Sequence, residues 1–293
     1  MPTTLPFDNR DGFIWYDGKL VPWREATLHL LTHSLHYASS VFEGIRVYAE
    51  KPFKLTEHNQ RLKNSAEILG YELPFSVSQI NESCLEVIKT NGFKDCYLRP
   101  LAWRGSEVMG VSARKSRIHV AIAAWEWPSY FSLKSGAPGL TLKTATWRRP
   151  SPLTAPIASK AASLYAIGTL AKHAAEDAGF HDALMWTWEG NVAEATGANI
   201  FFRKDDKLHT PIPDSFLNGI TRQTVMGLAR ARGIEVCERF IAPEEIASMD
   251  EIFLTGTAAE VTSVVQIDDH TFPSGQMTRL LQEDFFNLTK QST

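Results

Sequence analysis

Lys160 is the residue of this sequence whose surroundings best suit covalent chemistry. It lies in the segment Pro156–Tyr165, PIASKAASLY, and no other charged residue occurs from Ser151 to Gly168. Its small neighbours leave room for a ligand and little water to solvate the ammonium form. Partial desolvation makes the neutral amine available as a nucleophile or for Schiff-base formation. The alternative is an ordinary solvated lysine at the start of a helix.

Two further residues could act together with such a lysine. Tyr165 follows it closely enough for the phenol to reach the same cavity. Glu194, in NVAEATGAN, lies among small residues between two predicted strands. A carboxylate among small residues has a clear reason to be there if it forms a pair with a cation. The alternative is that Glu194 is an exposed acid at the edge of a strand.

The segment Leu217–Arg222, LNGITR, has the pattern of a helix start that binds an anion. We expect Gly219 to let the backbone turn tightly, so that the first helical amides and the Thr221 hydroxyl point at the anion. The alternative is an ordinary helix N-cap. Arg61 is one of several arginines that could add a forked cation. The loop Thr255–Ala259, TGTAA, could offer further amides to a phosphate or carboxylate.

These features match the requirements of pyridoxal phosphate, which needs a lysine, an acid for the ring nitrogen, an anion cradle and a donor to the ring oxygen. A metal site is not predicted, because His33 and His36 have no acidic or cysteine partner at ligand spacing. The sequence lacks GxGxxG, Walker and GxSxG motifs. Nicotinamide, nucleoside triphosphate and serine-hydrolase chemistry are therefore not indicated.

The composition argues against several classes of protein. The 293 residues are 44% hydrophobic and 22% charged, which is typical of a globular protein. A net charge of −3 without a basic block argues against nucleic acid or an anionic membrane as partner. No apolar run has the length of a membrane span, and the polar N-terminus shows no signal peptide. Three scattered cysteines suit a reducing compartment, so we predict a soluble, cytoplasmic protein.

The order of the predicted elements indicates a two-domain α+β chain. Residues 1–126 form a small N-terminal domain in this prediction, and residues 140–293 form a larger C-terminal domain. The segment 127–139 is the predicted linker, because prolines, glycines and serines interrupt the hydrophobic pattern there.

Local signals define several elements of the first domain. Asp17-Gly18 predicts a hairpin turn, and Ser76 with Gln79 predicts a capping box at the start of a helix. We also predict a strand over Val41–Tyr48 and a helix capped by Thr56. In the second domain the predicted strands are 140–147, 182–188, 198–203, 251–254 and 261–267, and the predicted helices are 163–178, 219–232 and 279–289.

A set of motifs in a fixed order resembles the class IV aminotransferases of pyridoxal phosphate fold type IV. The motifs are Lys160, Tyr165, EATGANIF from Glu194, LNGITR from Leu217 and TGTAAE from Thr255. Within that family the chain most resembles the branched-chain amino acid aminotransferases, and the likeness extends from Phe13 nearly to Leu288. The resemblance implies a small α+β domain, a larger β-barrel-like α/β domain and a pyridoxal 5′-phosphate cofactor. It also implies at least a homodimer, in which the loop Met109–Val111 reaches the neighbouring subunit's site.

The resemblance also implies residue roles. Lys160 forms the Schiff base with the cofactor and transfers the proton of the substrate's Cα. Glu194 pairs with the pyridine nitrogen, and Tyr165 bonds the ring oxygen. The other implied cofactor-binding residues are Arg61, Leu217, Gly219, Ile220, Thr221 and Thr257. The implied substrate-binding residues are Tyr37, Phe42, Arg46, Tyr97, Arg99, Trp127, Tyr130, Thr257 and Ala258.

The function implied is transfer of the amino group of leucine, isoleucine or valine to 2-oxoglutarate by a ping-pong route. Aromatic walls suit apolar side chains, while Arg99 with tyrosine hydroxyls can receive a γ-carboxylate. Two alternatives within the fold are a transaminase of D-amino acids or (R)-amines and an aminodeoxychorismate lyase. A binding module without enzymatic activity is a further alternative.

Overall fold

The computed structural model describes residues 5–127 and 139–291. These residues form two compact units, one of 5–127 with Ser159–Ser163 and the other of 139–158 with 164–291. Lys160 thus belongs to the first unit, although the chain on both sides of its segment belongs to the second. The predicted linker stays a prediction, because 128–138 lie outside the described residues. None of the helices in the described ranges is long and apolar enough to cross a membrane.

The first unit contains a seven-stranded sheet with the order β2-β1-β7-β6-β4-β5, in which β3 also pairs with β6. Its strands are β1 (Phe13–Tyr16), β2 (Lys19–Pro22), β3 (Ser40–Phe42), β4 (Ile45–Tyr48), β5 (Lys51–Pro52), β6 (Cys96–Arg104) and β7 (Ile118–Trp125). Its helices are α1 (His33–Tyr37), α2 (Leu55–Ile68) and α3 (Val77–Asn91). Helices α2 and α3 pack on the sheet around buried residues such as Leu62, Ile80 and Leu98.

Two local predictions in this unit are confirmed. Asp17 and Gly18 adopt positive φ angles between β1 and β2. A two-residue hairpin turn requires such angles to match the right-handed twist of the strands on either side. Ser76 and Gln79 form both hydrogen bonds of a capping box at the start of α3. Gly92 ends α3 in the left-handed conformation. Glycine adopts this conformation without the steric cost that a Cβ would add.

Two other predictions in this unit are wrong. Thr56 does not cap α2, because the N-cap is Lys54 in a left-handed conformation and the Thr56 hydroxyl accepts a hydrogen bond from Asn81. The predicted strand Val41–Tyr48 is interrupted between β3 and β4. The interruption falls at Glu43, whose side chain is fully buried, and at Gly44.

The second unit contains a nine-stranded sheet and three α-helices. Its strands are β8 (Leu140–Arg148), β9 (Asp182–Trp186), β10 (Val192–Ala195), β11 (Asn199–Lys204), β12 (Lys207–Pro211), β13 (Val236–Arg239), β14 (Glu251–Gly256), β15 (Glu260–Ile267) and β16 (His270–Thr271). Its helices are α4 (Ala166–Asp177), α5 (Ile220–Ala231) and α6 (Gln276–Gln291).

Six strands of this sheet close into a ring. The path β10-β9-β8-β15-β14-β11 returns to its start, because β10 pairs with both β9 and β11. Closure removes the unpaired edges that an open sheet would expose. Apolar side chains such as Leu184, Ile200 and Val264 fill the core of this unit. The β-barrel-like second domain is therefore confirmed.

Four short strands of the second unit, β10, β12, β13 and β16, were not predicted. Glu194 was placed between two predicted strands, but it lies within β10 and pairs with Asn199 of β11. Helix α4 begins at Ala166 rather than near Ser163, because residues 162–164 form a separate 3-10 turn.

Candidate active site

The backbone of Lys160 is fixed by hydrogen bonds within the first unit. Its amide donates to the Ser65 hydroxyl at 2.9 Å, and its carbonyl accepts from the Phe42 amide at 3.2 Å. The hydroxyl of the preceding Ser159 donates to the Ser65 carbonyl. The Lys160 ammonium lies 5.0 Å from the centre of the Phe42 ring. A residue on a non-helical segment thus acquires a defined position through α2 and β3.

Arg61, a predicted phosphate ligand, forms a bidentate ion pair with Glu43. Its Nε and Nη2 donate to the two carboxylate oxygens at 2.6 and 2.9 Å, and His58 contacts the same carboxylate at 2.7 Å. Burial would raise the pKa of Glu43, but the Arg61 charge and the hydrogen bonds from His58 and Arg61 hold it well below its usual range. Burial lowers the pKa of His58 against the opposing effect of Glu43. Neutral His58 therefore donates from Nδ1 to an ionised Glu43.

Neither Glu43 nor His58 was predicted as part of the site. The available signal was the charge of Glu43 inside the apolar run VFEGIRV, since a buried acid needs a cationic partner. The nearby Lys160 charge also lowers the pKa of His58, so this buried network lies close to the reactive lysine.

The structure brings together several predicted substrate-binding residues of the first unit. The Arg99 guanidinium carbon lies 4.7 Å from the Phe42 ring centre and 5.2 Å from that of Tyr97. Arg99 also donates to the Tyr97 hydroxyl at 3.3 Å, whereas its buried Nε has no hydrogen-bond partner among residues 5–127 and 139–291. An arginine with a spare donor between aromatic rings can receive a carboxylate.

Arg46 and Trp127 contact each other in the same unit. Arg46 Nη1 donates to the Trp127 carbonyl at 2.7 Å, and the Trp127 ring lies 5.4 Å from that of Tyr97. A Cβ added at Gly44 would lie 1.8 Å from the Tyr97 hydroxyl, so the break between β3 and β4 leaves space for this tyrosine. Tyr130 lies outside the described residues.

The ring of Tyr37 packs on the ring of His33. The two rings stack with centres 4.6 Å apart, and His33 contacts the Ser39 hydroxyl and the Gly110 carbonyl at 2.8 and 2.9 Å. His33 therefore connects Tyr37 with the loop Met109–Val111. In the described part of the chain, no group of three or more potential ligands could hold a metal ion.

Glu194 is buried on β10, and both of its carboxylate oxygens have partners in the second unit. Arg149 Nη2 lies 2.8 Å from Oε1, and the Asn199 side-chain amide donates to Oε2 at 3.1 Å. Arg149 also donates to the carbonyls of Leu164 and Thr196. Arg149 was not predicted, because its partners are distant in sequence. Tyr165 is half-buried directly before α4.

The segment Leu217–Thr221 leads into α5. Leu217 accepts from Asn199 Nδ2 and the Gly219 amide donates to Asn199 Oδ1, both at 3.1 Å. Gly219 is the N-cap and has no side chain to cap the first amides of the helix, where Thr221 is buried. The φ angle of Gly219 is −64°, so the expected tight turn is not the reason for glycine here.

Arg222, at the end of the LNGITR motif, supports the turn before α5 through its hydrogen bonds. It is fully buried, and its guanidinium donates to Thr210, Asn218, Pro211 and Glu238. With these partners Arg222 stabilises the turn before α5.

The TGTAA segment connects β14 to β15. Thr257 and Ala258 are half-buried in the turn, and the Thr262 hydroxyl donates to the Ala259 carbonyl at 2.5 Å. Thr255 at the end of β14 is 1% exposed, and its hydroxyl has no partner within the described ranges. A buried hydroxyl without a partner is costly unless a ligand satisfies it.

Comparisons with known proteins agree with this geometry. The family model for amino-transferase class IV matches residues 40–267. A branched-chain-amino-acid aminotransferase of Pseudomonas aeruginosa is 39% identical over 292 residues, covering 97% of this chain and 95% of the relative.

Two solved structures of a T.th. branched-chain amino acid aminotransferase are also similar. One, with pyridoxamine 5′-phosphate, has a TM-score of 0.93. The other, with N-(5′-phosphopyridoxyl)-L-glutamate, has a TM-score of 0.90. Both are 37% identical, and each match covers 97% of this chain and 96% of the solved chain. The chain therefore belongs to the amino-transferase class IV family.

Proposed function

We propose that the protein is a pyridoxal 5′-phosphate-dependent transaminase that moves the amino group of leucine, isoleucine or valine to 2-oxoglutarate. Its family and the names of its relatives support this function. The observation that carries the proposal is the link from Glu194 through Asn199 to the uncapped start of α5. It joins an acid suited to a pyridine nitrogen with amides suited to a phosphate.

The residues of the second unit fit pyridoxal phosphate. The buried Thr255 hydroxyl can bond the ligand, and the amides of Ile220 and Thr221 can bind its phosphate near the positive end of the helix dipole. We assign phosphate binding also to Arg61 and Thr257, and ring packing to Leu217. When bound, pyridoxal phosphate supplies a conjugated ring that draws electrons from the substrate's Cα.

The chain's own residues then have distinct tasks. Lys160 would hold the cofactor through its Nζ, and the same amine, once displaced by the substrate's amino group, would move the proton from the substrate's Cα to C4′ of the cofactor. Glu194 pairs with the pyridine nitrogen, while Tyr165 donates to the ring oxygen. Ser65 and Phe42 fix the backbone from which the Lys160 side chain extends.

The substrate pocket has to accept both an apolar side chain and glutamate. Phe42, Tyr97 and Trp127 offer apolar surface, and Arg99 can pair with the γ-carboxylate of glutamate. The solved relative that carries a phosphopyridoxyl-glutamate supports glutamate as the second substrate. We assign supporting roles in this pocket to Tyr37, Arg46, Tyr130 and Ala258.

The decisive experiment compares half-reactions of the purified protein loaded with pyridoxal 5′-phosphate. L-leucine, L-glutamate, D-alanine, an (R)-amine and aminodeoxychorismate are added separately. Conversion of the cofactor is followed by its visible absorbance, and pyruvate is assayed in the sample with aminodeoxychorismate. We expect conversion with both L-amino acids. Conversion with D-alanine or the amine alone would support the alternative transaminases, and pyruvate released from aminodeoxychorismate without an amino acceptor would support the lyase.

A homodimer is the second part of the proposal. Leu30, Leu35 and Val111 are 76%, 60% and 88% exposed, and His33 fixes the loop that contains Val111. An exposed apolar surface of this kind is typical of a protein interface. We also propose a cytoplasmic location, since all three cysteines are free thiols.

A further inference from the structure

Asn199 lies at the centre of a row of polar residues on one face of the sheet. It is paired across β10–β11 with Glu194 and across β11–β14 with Thr255. Directly opposite residues on antiparallel strands point to the same face. All three side chains are buried, in a sheet whose neighbouring core positions are apolar. A buried polar row of this kind needs specific partners.

The hydrogen bonds of Asn199 determine the orientation of its side-chain amide. The Gly219 backbone amide can only donate, so the atom facing it at 3.1 Å is Oδ1. The Leu217 carbonyl can only accept, so the atom facing it is Nδ2. The second hydrogen of Nδ2 is then directed to Glu194 Oε2 at 3.1 Å. The amide therefore donates to the carboxylate and bonds the turn before α5 on both sides of Asn218.

The glycine at position 219 is explained by the same contact. A Cβ built at Gly219 would lie 2.2 Å from Asn199 Oδ1. Because Asn199 is 5% exposed and bonded to three groups, it cannot move aside without losing bonds. Asn199 in this orientation therefore requires a residue without a Cβ at position 219.

We propose that Asn199 is a positioning residue that fixes the distance between Glu194 and the start of α5, so that one pyridoxal phosphate engages both ends at once. This inference rests on the proposed function. A ligand that binds two sites held at the right spacing gains affinity over its separate parts, and the gain is lost when the spacing is not held. Asn199 would contribute through that gain rather than through contact with the substrate.

The test uses the full-length apoprotein and three probes that form no covalent bond with Lys160. Pyridoxamine 5′-phosphate spans both ends, whereas pyridoxamine and inorganic phosphate each occupy one. Affinities are measured by calorimetry for the wild type and for Asn199→Ala. We expect the affinity for pyridoxamine 5′-phosphate to fall about tenfold or more in Asn199→Ala, because the gain from binding both ends at once is lost. The affinities for pyridoxamine and for inorganic phosphate should fall less.

Gly219→Ala provides an independent variant if Asn199→Ala does not fold. Its added methyl has to displace the Asn199 amide, so the same pattern of affinities is expected. The double variant should bind no more weakly than Asn199→Ala alone, since contacting residues are not additive. Thr278→Val is the matched control, because it removes a buried hydrogen bond from α6 to Glu251 that involves neither Glu194, Asn199 nor the turn before α5.

Equal losses for all three probes, or the same pattern in Thr278→Val, would overturn the positioning role and indicate general loosening. Unchanged affinities in Asn199→Ala would overturn it as well. Failure of the proposed function gives a different result, in which the wild-type protein itself does not bind pyridoxamine 5′-phosphate.

Discussion

The guanidinium of Arg149 lies 2.8 Å from a carboxylate oxygen of Glu194, and both side chains are largely shielded from solvent. The same guanidinium donates to the carbonyl of Leu164, the residue directly before Tyr165. Arg149 therefore connects the acid proposed for the pyridine nitrogen with the segment that carries the donor proposed for the ring oxygen. A forked cation can make such contacts simultaneously.

Arg149→Met should destabilise the apoprotein by about 3–5 kcal/mol, because it leaves a buried carboxylate without its cation. Urea denaturation followed by tryptophan fluorescence measures this. Arg149→Lys should retain part of the stability, since it keeps the charge but not the fork. The control is Arg148→Met, whose side chain donates to the Trp188 carbonyl at an exposed site. Equal losses in Arg148→Met and Arg149→Met would contradict the role of the buried pair.

The network of Glu43, His58 and Arg61 predicts a loss of stability in acid. Burial would raise the pKa of Glu43, but Arg61 and His58 lower it below the unfolded value of about 4.3. Glu43 therefore contributes its full stabilisation above that value and loses it as the pH falls further. Burial lowers the pKa of His58 below about 6.5, so its contribution is lost as the pH falls below that value. We expect the free energy of unfolding to decrease from about pH 6.5 downward.

Glu43→Gln tests the origin of this dependence. We expect it to cost about 3–5 kcal/mol at pH 7, since Arg61 is left without its carboxylate, and to flatten the decrease below pH 5. Glu57→Gln is the control, because Glu57 forms an exposed pair with Lys54 worth about 0–1 kcal/mol. An acid limb of unchanged slope in Glu43→Gln would show that other groups cause it.

Arg99→Met should separate the two substrates of the proposed reaction. Loss of the guanidinium removes the partner of the γ-carboxylate, so kcat/KM for glutamate should fall about 10- to 100-fold. The value for leucine should change little, because methionine keeps an apolar wall. Single-turnover half-reactions give both values. Arg104→Met on the same strand is the control, since Arg104 donates to backbone carbonyls of 69, 70 and 113. Parallel losses for leucine and glutamate in Arg99→Met would contradict selective carboxylate recognition.

The exposed apolar residues predict how the subunits associate. Leu35→Glu and Val111→Glu should shift the protein towards monomers in light-scattering chromatography, because each places a charge in the proposed interface. Leu85→Glu on α3 is the control, since Leu85 is also a half-exposed leucine but lies on another element. A monomeric wild type, or a dimer that survives both substitutions, would contradict this interface.

Elements specified by neighbouring residues could be predicted from the sequence. The positive φ angles at Asp17-Gly18 and the capping box of Ser76 with Gln79 follow from the residue types at those positions, although Asp17 also bonds His119 and Val120. The cap assigned to Thr56 was wrong for a tertiary reason, because Asn81 of the next helix engages its hydroxyl. The clustering of Phe42, Tyr97 and Arg99 agrees with the family resemblance.

The polar network around the site could not be predicted from local patterns. Arg149 meets Glu194, and Asn199 meets Gly219, only in the folded second unit, because the partners are far apart in the sequence. The short strand β10 carries Glu194, but its small residues give no alternating pattern. In the network of Glu43, His58 and Arg61, the sequence indicates burial only for Glu43, because its charge lies within an apolar run.

Locating the cofactor bond tests the central assignment, that of Lys160 as the catalytic residue, most directly. The protein is loaded with pyridoxal 5′-phosphate, reduced with borohydride and digested, and mass spectrometry identifies the lysine that carries the pyridoxyl phosphate group. We predict modification of Lys160 and its disappearance when L-leucine is added before the reduction. Stoichiometric modification of a different lysine, with Lys160 unmodified, would contradict the assignment of Lys160 as the catalytic residue.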